Sequence, residues 1–312
     1  MEIKQDLRSL YRHWEKHAGY RSDLPGKRMT GLDRELLVRM GEFARERMLV
    51  WEKRQQGLVQ PWTEDPVIAK FRFCNIYREL DKQTIELHRM LAGQREDFAL
   101  WLLNMFFGRM VCRPETLRQS GLLSFDESSN QEVYRKLMAV PRPRYGTAYV
   151  FPVSTIMRGD YPTREKFLCF YLPKIMREMA GLIGGFRETG VSSALEKVLP
   201  LFGVRLHFLW TEVLIDTAYQ YPELINLFER FPIGPGSIPT MKRLNADADP
   251  EEVCLALVQE KPEGFPYLEL AGRPVWLSAE NWEGIGCEFR KYTNLSQGNG
   301  RKRKYSSRTI DG

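Results

Sequence analysis

Twice in this chain an aspartate is followed at once by proline and then by spaced apolar residues, at Asp65-Pro66 and Asp249-Pro250. Aspartate is well suited to accept the unpaired amides of a first helical turn. Proline at that turn loses only an N–H that would have had no partner. Both pairs therefore predict helix starts. Apolar residues elsewhere recur at three- and four-residue intervals, as in Leu36, Leu37, Met40, Phe43 and Met48, so the chain is predicted to be mainly helical, an all-α fold. Helices are expected over 2–17 and 31–56, from Pro66 through Leu91, and over Glu96–Met110. Others should start at Pro114 and near Gln131. A helix capped by Thr163 should run to about Phe186, and further helices are expected over 192–200, 205–219, 222–230, 250–261 and 279–292. Two places break the pattern. Residues 139–163 hold four prolines and the β-prone run YVFPVS, which predicts an irregular crossover with a small hairpin. The run YLELAGRPVWLS at 267–278 predicts a second short hairpin before the last helix.

Of the 312 residues, 43% are hydrophobic and 28% charged, the balance of an ordinary globular protein. No stretch approaches the ~20 apolar residues that cross a bilayer, and the first residues lack the apolar core of a secretory signal. A cytoplasmic protein is expected. Five dispersed cysteines without CxxC spacing fit reduced thiols. His13 and His17 lie one helical turn apart, but no third ligand is near in sequence, so two exposed helix residues are expected and no metal. The net charge of +6 is partly local: residues 300–308, GRKRKYSSR, carry five basic residues and no acid. Such a stretch suits a phosphate backbone, or else is a solvated tail. The motif GxxxxGK[ST] is absent from the sequence, so these residues do not make a Walker-type kinase by themselves.

Four constellations carry chemistry. In the first, residues 57–81, a helix would put Arg72, Asn75, Glu79 and Lys82 on one stripe, with Arg78 and Asp81 beside it. Arginine, amide and carboxylate together can hold a phosphate, read a base edge and accept a proton. Trp62 and Tyr77 add rigid aromatic faces on which an extruded base would stack. The alternative is an exposed face laced by ion pairs. In the second, VLPLFGVRLHFLWTEVLIDTAYQYP at 198–222, Gly203 turns a hairpin whose amides suit a phosphate. Glu212 and Asp216 follow one turn apart as a carboxylate pair, or as a plain surface pair. The third is the loop Gly234-Pro235-Gly236-Ser237, followed by Lys242 and Arg243. Its glycines let the backbone approach an anion, although most such tripeptides are ordinary turns. In the fourth, Cys287-Glu288-Phe289-Arg290-Lys291-Tyr292, Lys291 is a phosphate partner and Glu288 a base or amine ligand; Cys287 is expected to be packing.

The segment PWTEDPVIAKFRFCNIYRELDKQT at 61–84 resembles the signature of the phage thymine-hypermodification family. That family comprises the alpha-glutamyl/putrescinyl thymine pyrophosphorylases and the related helical domain of 5-hydroxymethyluracil DNA kinases. In order along the chain, Thr147-Ala148-Tyr149 with Lys166, the 198–222 block, FPIGPGSIPTMKRL at 231–244 and GCEFRKYTNLSQGNGRKRKY at 286–305 are similar to the family's further blocks. The resemblance covers about 57–305. It implies a DNA-glycosylase-like helix-hairpin-helix bundle at 57–292, an N-terminal helical extension at 1–56 and a basic tail at 293–312.

The resemblance also implies an activity. A partner kinase phosphorylates hydroxymethyluracil in DNA, and a protein of the present type replaces the phosphate or pyrophosphate with an amine. That amine is glycine, another amino acid or putrescine, and no cofactor is required. On this reading Arg72, Arg78 and Lys291 take up charge on the leaving group. Asp216, or second Glu288, receives the amine's proton. Asn75 reads the uracil edge with Trp62 or Tyr77 stacking, near Asp81. Gly203, Arg205, Gly234, Gly236, Ser237, Lys242 and Arg243 hold DNA. The chain departs from the glycosylase pattern in two ways. Gly203-Val204-Arg205 lacks the second hairpin glycine, with Arg205 left to supply charge, and Pro222 is followed by ELINLF with no aspartate to cleave a base–sugar bond. A glycosylase acting on a modified base, or a non-catalytic DNA-binding partner of the kinase, are the competing expectations.

Overall fold

The computed structural model describes residues 1–20, 29–148, 153–156, 159–204 and 206–305. Arg205, Tyr149, most of the YVFPVS run and the last residues of the basic tail lie outside them. The described chain is mainly helical, as expected, and gathers into two compact units. Each is assembled from stretches distant in sequence. One comprises residues 1–3, 17–81 and 230–312, the other 4–16 and 82–229.

The first unit is built around the helices Arg34–Gln55 and Ala279–Ser296. Asp33 caps the former through the amide of Leu36. Ser278 and Asn281 form a reciprocal cap on the latter. Shorter helices Pro66–Lys70, Ile238–Leu244 and Pro250–Glu260 complete the helical part. Both Asp-Pro starts are observed. Asp65 accepts from Val67 and Ile68, and Asp249 from Glu251. The expected hairpin is present as Leu268–Leu270 antiparallel to Arg273–Val275. Its strands are tied by the hydroxyl of the fully buried Tyr77, which donates to the Val275 carbonyl at 2.6 Å and accepts from the Leu268 amide at 3.0 Å.

The second unit packs Phe98–Val111, Leu172–Gly184, Val191–Phe202 and His207–Gln220 against one another. The fully buried Phe106, Phe202 and Trp210 meet at its centre, with ring centroids 5.0 to 5.2 Å apart. Thr163 caps the Arg164–Lys166 turn, which continues through a π-helical turn, Phe167–Tyr171, into the next helix. Phe98–Val111 is buried nearly all round, which explains its weak amphipathic pattern.

Four expectations are corrected. The 2–17 stretch is two short helices, Gln5–Arg8 and His13–His17. Both histidines are buried rather than exposed, and His13 stacks on Tyr219 at 4.4 Å. Residues 222–230 form no helix; Ile225–Asn226 pairs in parallel with Thr189–Gly190 instead. The helix expected from Pro66 to Leu91 exists only at its ends, Pro66–Lys70 and Lys82–Met90. Between them the chain is extended and then makes one 3-10 turn, Arg78–Leu80. Among the described residues no helix is long and apolar enough to cross a membrane.

Candidate active site

The break in the helix gathers the candidate residues. Several backbone groups of residues 71–75 are paired from outside the segment. Phe71 bridges to Lys304, the Arg72 amide donates to the Arg303 carbonyl at 2.8 Å, and the Tyr305 amide donates to the Lys70 carbonyl at 3.0 Å. The Cys74 amide donates to Glu288 Oε2 and the Asn75 amide to Asp81 Oδ1, each at 3.0 Å. Arg47 Nε donates to the carbonyls of Phe73 and Cys74 at 3.0 and 3.1 Å. Groups that a helix would have paired internally are thus taken by a distant arginine, two carboxylates and the C-terminal segment. The stripe of Arg72, Asn75, Glu79 and Lys82 expected on a helix face therefore does not exist.

A different cluster replaces it. Arg47 is 2% exposed and also donates to Asn75 Oδ1 at 2.6 Å, while its Nη1 has no hydrogen-bond partner among the described residues. Asn75 and Asp81 are half-buried. Burial pushes the Asp81 carboxyl up to about 6, although the Asn75 amide, Arg47 and Arg78 favour its charged form. Glu288 is 4% exposed and lies between Lys291, 2.7 Å from Oε1, and Lys302, 2.6 Å from Oε2. Burial alone would raise its pKa, but the two ammonium groups outweigh it and hold it below the ordinary carboxylate range. The same carboxylate raises the Lys291 ammonium against the effect of its own burial. Lys302 also lies over the Phe73 ring at 4.7 Å.

Beside this cluster, Trp62 and Tyr305 meet edge to face at 5.2 Å. Arg54 lies over both rings and Arg72 over that of Tyr305. The unit thus brings together Trp62, Arg72, Asn75, Asp81, Glu288 and Lys291. It adds Arg47, Arg54, Lys302 and Tyr305, which sequence reasoning missed. Arg47 stands on a predicted amphipathic helix among apolar positions, and that burial was its only signal. Lys302 and Tyr305 were read as tail. Residues 302–305 are instead docked against the 70–73 segment.

The other expected residues have different surroundings. Tyr77 is core, with its hydroxyl committed to the hairpin, so neither face is open to a base. Arg78, half-buried on the 3-10 turn, lies close enough to Asp81 to favour its charge. Gly234 and Gly236 pack against the Ala279–Ser296 helix. A Cβ on Gly236 would lie 2.5 Å from Cys287 Sγ, and one on Gly234 would lie 3.0 Å from Glu283. Ser237 is fully buried. Lys242 donates to the carbonyls of Ala246 and Ala248, and Arg243 is exposed. In the second unit, Gly203 ends a helix at φ +68, a conformation that favours glycine.

Asp216 belongs to that second unit and is fully buried. Arg109 reaches its two oxygens at 2.5 and 2.6 Å, and His88 Nε2 lies 3.0 Å from Oδ1. His88 Nδ1 in turn meets Gln220, and Gln220 donates to the Leu10 carbonyl. Glu212 is half-buried one turn earlier on the same helix. Among the described residues no group of three or more His, Cys, Asp or Glu could hold a metal ion.

No solved structure matches the chain. A 5-hmdU DNA kinase of Bacillus phage SP10 is 32% identical over 111 residues, which are 34% of this chain and 17% of that protein. The chain therefore spans less than a fifth of that relative's length. Residues 34–301 match the family described as "5-hmdU DNA kinase, helical domain", a match that runs through both units and includes every residue of the cluster up to Arg301. By that match the chain belongs to the family of the 5-hmdU DNA kinase helical domain.

Proposed function

We propose that this protein is a transferase of phage DNA hypermodification. It replaces the phosphate or pyrophosphate of 5-phosphomethyl-uracil in DNA with an amine such as glycine, another amino acid or putrescine. The family match over residues 34–301 carries this reading. These residues contain no GxxxxGK[ST] motif, so the step proposed for them is one that needs no phosphate-binding loop.

The chemistry follows from the cluster. The amine lone pair forms a C–N bond to the exocyclic methylene, and the C–O bond breaks with its electron pair leaving on the phosphate. Arg72, Arg78 and Lys291 meet that departing charge. Asp81 takes the proton released from the new C–N centre, because burial has moved its pKa to about 6 and close to a working neutral pH. Glu288, its oxygens taken by Lys291, Lys302 and the Cys74 amide, holds those groups in place beside the reacting centre. The Asn75 carbonyl oxygen already accepts from Arg47, which leaves its amide NH2 to donate to a pyrimidine carbonyl. Trp62 supplies the stacking face. Asp216 is assigned to holding its own unit together, since Arg109 and His88 already use its oxygens.

The test is incubation with phosphomethyl-uracil DNA and a pool of amines, followed by digestion and nucleoside mass analysis. A new amine adduct, lost in Asp81→Asn and Asn75→Ala, is the expected result. Abasic sites would replace this proposal with a glycosylase. Unchanged nucleosides with DNA binding retained would replace it with a binding partner of the kinase.

A further inference from the structure

The segment that joins the Arg34–Gln55 helix to Trp62 has an unusual surface. Val59 is 82% exposed and Leu58 51% exposed, next to each other at the tip of a loop. From Arg54 to Trp62 there is no acidic residue. The loop is anchored at its base. Gly57, at φ +76, turns the chain, and the amides of Gly57 and Leu58 donate to the carbonyls of Arg54 and Lys53. Trp62 Nε1 donates to the Leu58 carbonyl at 2.6 Å, and Lys53 Nζ to the Trp62 carbonyl at 2.7 Å. Two apolar side chains are thus held outward on a fixed frame. Around the frame stand the Trp62–Tyr305 pair with Arg54 and Arg72 on its rings, and the exposed side chains of Arg303 and Lys304.

We infer that Leu58 and Val59 form a wedge that enters the base stack of duplex DNA while the surrounding arginines and lysines hold its phosphates. Two aliphatic side chains cover too little area for a stable protein interface. Small apolar residues on a basic surface are the means by which proteins unstack a base step, with backbone neutralisation offsetting the lost stacking. The base displaced by the wedge would be received by the Trp62 and Asn75 side of the same unit. This inference rests on the proposed action on DNA bases, and it assigns the step that makes such a base accessible.

The experiment uses the full chain and a duplex carrying 2-aminopurine, whose fluorescence rises when it unstacks. The double variant Leu58→Ser/Val59→Ser removes the apolar tip from exposed positions, and thermal melting checks that it folds. Wild-type protein is expected to raise the fluorescence several-fold. The variant is expected to bind the same duplex within about 3-fold, roughly 0.6 kcal/mol, and to lose most of the rise. A variant that keeps the rise overturns the inference. So does wild-type protein that binds without a rise, that does not bind the duplex, or that uses these residues to bind anionic phospholipid vesicles instead. The nucleoside-mass assay separates the two claims. DNA that is unstacked through Leu58 and Val59 but gains no adduct removes the proposed transfer and leaves the wedge. An adduct formed equally well by the double variant removes the wedge alone.

Discussion

Lys302 lies fourteen residues beyond Glu288 and returns to it, with Nζ 2.6 Å from Oε2. That contact fastens the C-terminal segment to the last helix and sets residues 303–305 against the extended Phe71–Arg72 backbone. Glu288 is thereby shared between Lys291, Lys302 and the Cys74 amide.

Replacing Glu288 by glutamine should leave a mostly buried Lys302 without its counter-charge. The expected loss is ~3 kcal/mol of unfolding free energy, the usual cost of breaking a buried pair from one side. Urea denaturation measures it, and limited proteolysis should show the tail released. A variant as stable as the parent would mean that the pair contributes nothing to the docking.

Asp216→Asn should cost ~3–5 kcal/mol by leaving Arg109 buried beside a neutral partner. The double variant Arg109→Met/Asp216→Leu should recover part of that loss, because the Arg109 charge is gone while His88 Nε2 still loses its contact with Asp216. Chemical denaturation of the three proteins decides the matter. If Asp216→Asn were fully stable and inactive, Asp216 would be a base and not a tie.

Glu280 is 4% exposed, and burial pushes it up to about 8, with neighbouring Glu79 adding to the shift and the Ser278 hydroxyl opposing it. The sign follows from proton counting. Between the unfolded value near 4.5 and the folded value, the native state holds a proton that the unfolded chain has lost. Stability from this group is therefore complete below about pH 4.5 and falls as pH rises to about 8. Asp81 acts in the same direction up to about 6. Glu280→Gln should flatten the upper part of this slope and stabilise the protein at about pH 8 by ~3 kcal/mol. Denaturation midpoints across that range provide the check, and an unchanged slope would count against it.

Gly236→Ala should destabilise by ~1–3 kcal/mol through overpacking, because the new methyl would lie 2.5 Å from Cys287 Sγ. Adding Cys287→Ala removes that sulfur and leaves a 3.5 Å contact with the Cβ, so stability should return. If it does, and DNA binding is unchanged in the double variant, the glycine serves helix packing. Persistent loss of DNA affinity in a stable double variant would assign the loop to an anion.

Tyr77→Phe should cost ~1–2 kcal/mol by leaving the buried Val275 carbonyl and Leu268 amide short of a partner. Hydrogen exchange at the Leu268 amide should quicken more than at helical amides. Equal protection in both proteins would show the hydroxyl to be dispensable to the hairpin.

The sequence by itself determined the helical class, both Asp-Pro starts, the Leu268–Val275 hairpin and the ordered motifs that carry the family resemblance. These depend on local causes: side-chain caps, apolar spacing and turn residues act over a few positions. It singled out Asn75, Asp81, Glu288 and Lys291 as candidates, but put the first two on a helix that does not form. Only the tertiary structure decided the path of residues 71–75, because their partners are Arg47, Glu288 and residues 303–305. Helical propensity over a few residues amounts to ~0.5 kcal/mol per position. A buried arginine that needs carbonyl acceptors, and a carboxylate that needs an amide donor, outweigh it. The same long-range accounting decided that Asp216, read as half of a carboxylate pair, is core, and that Tyr77 has no face open to a base.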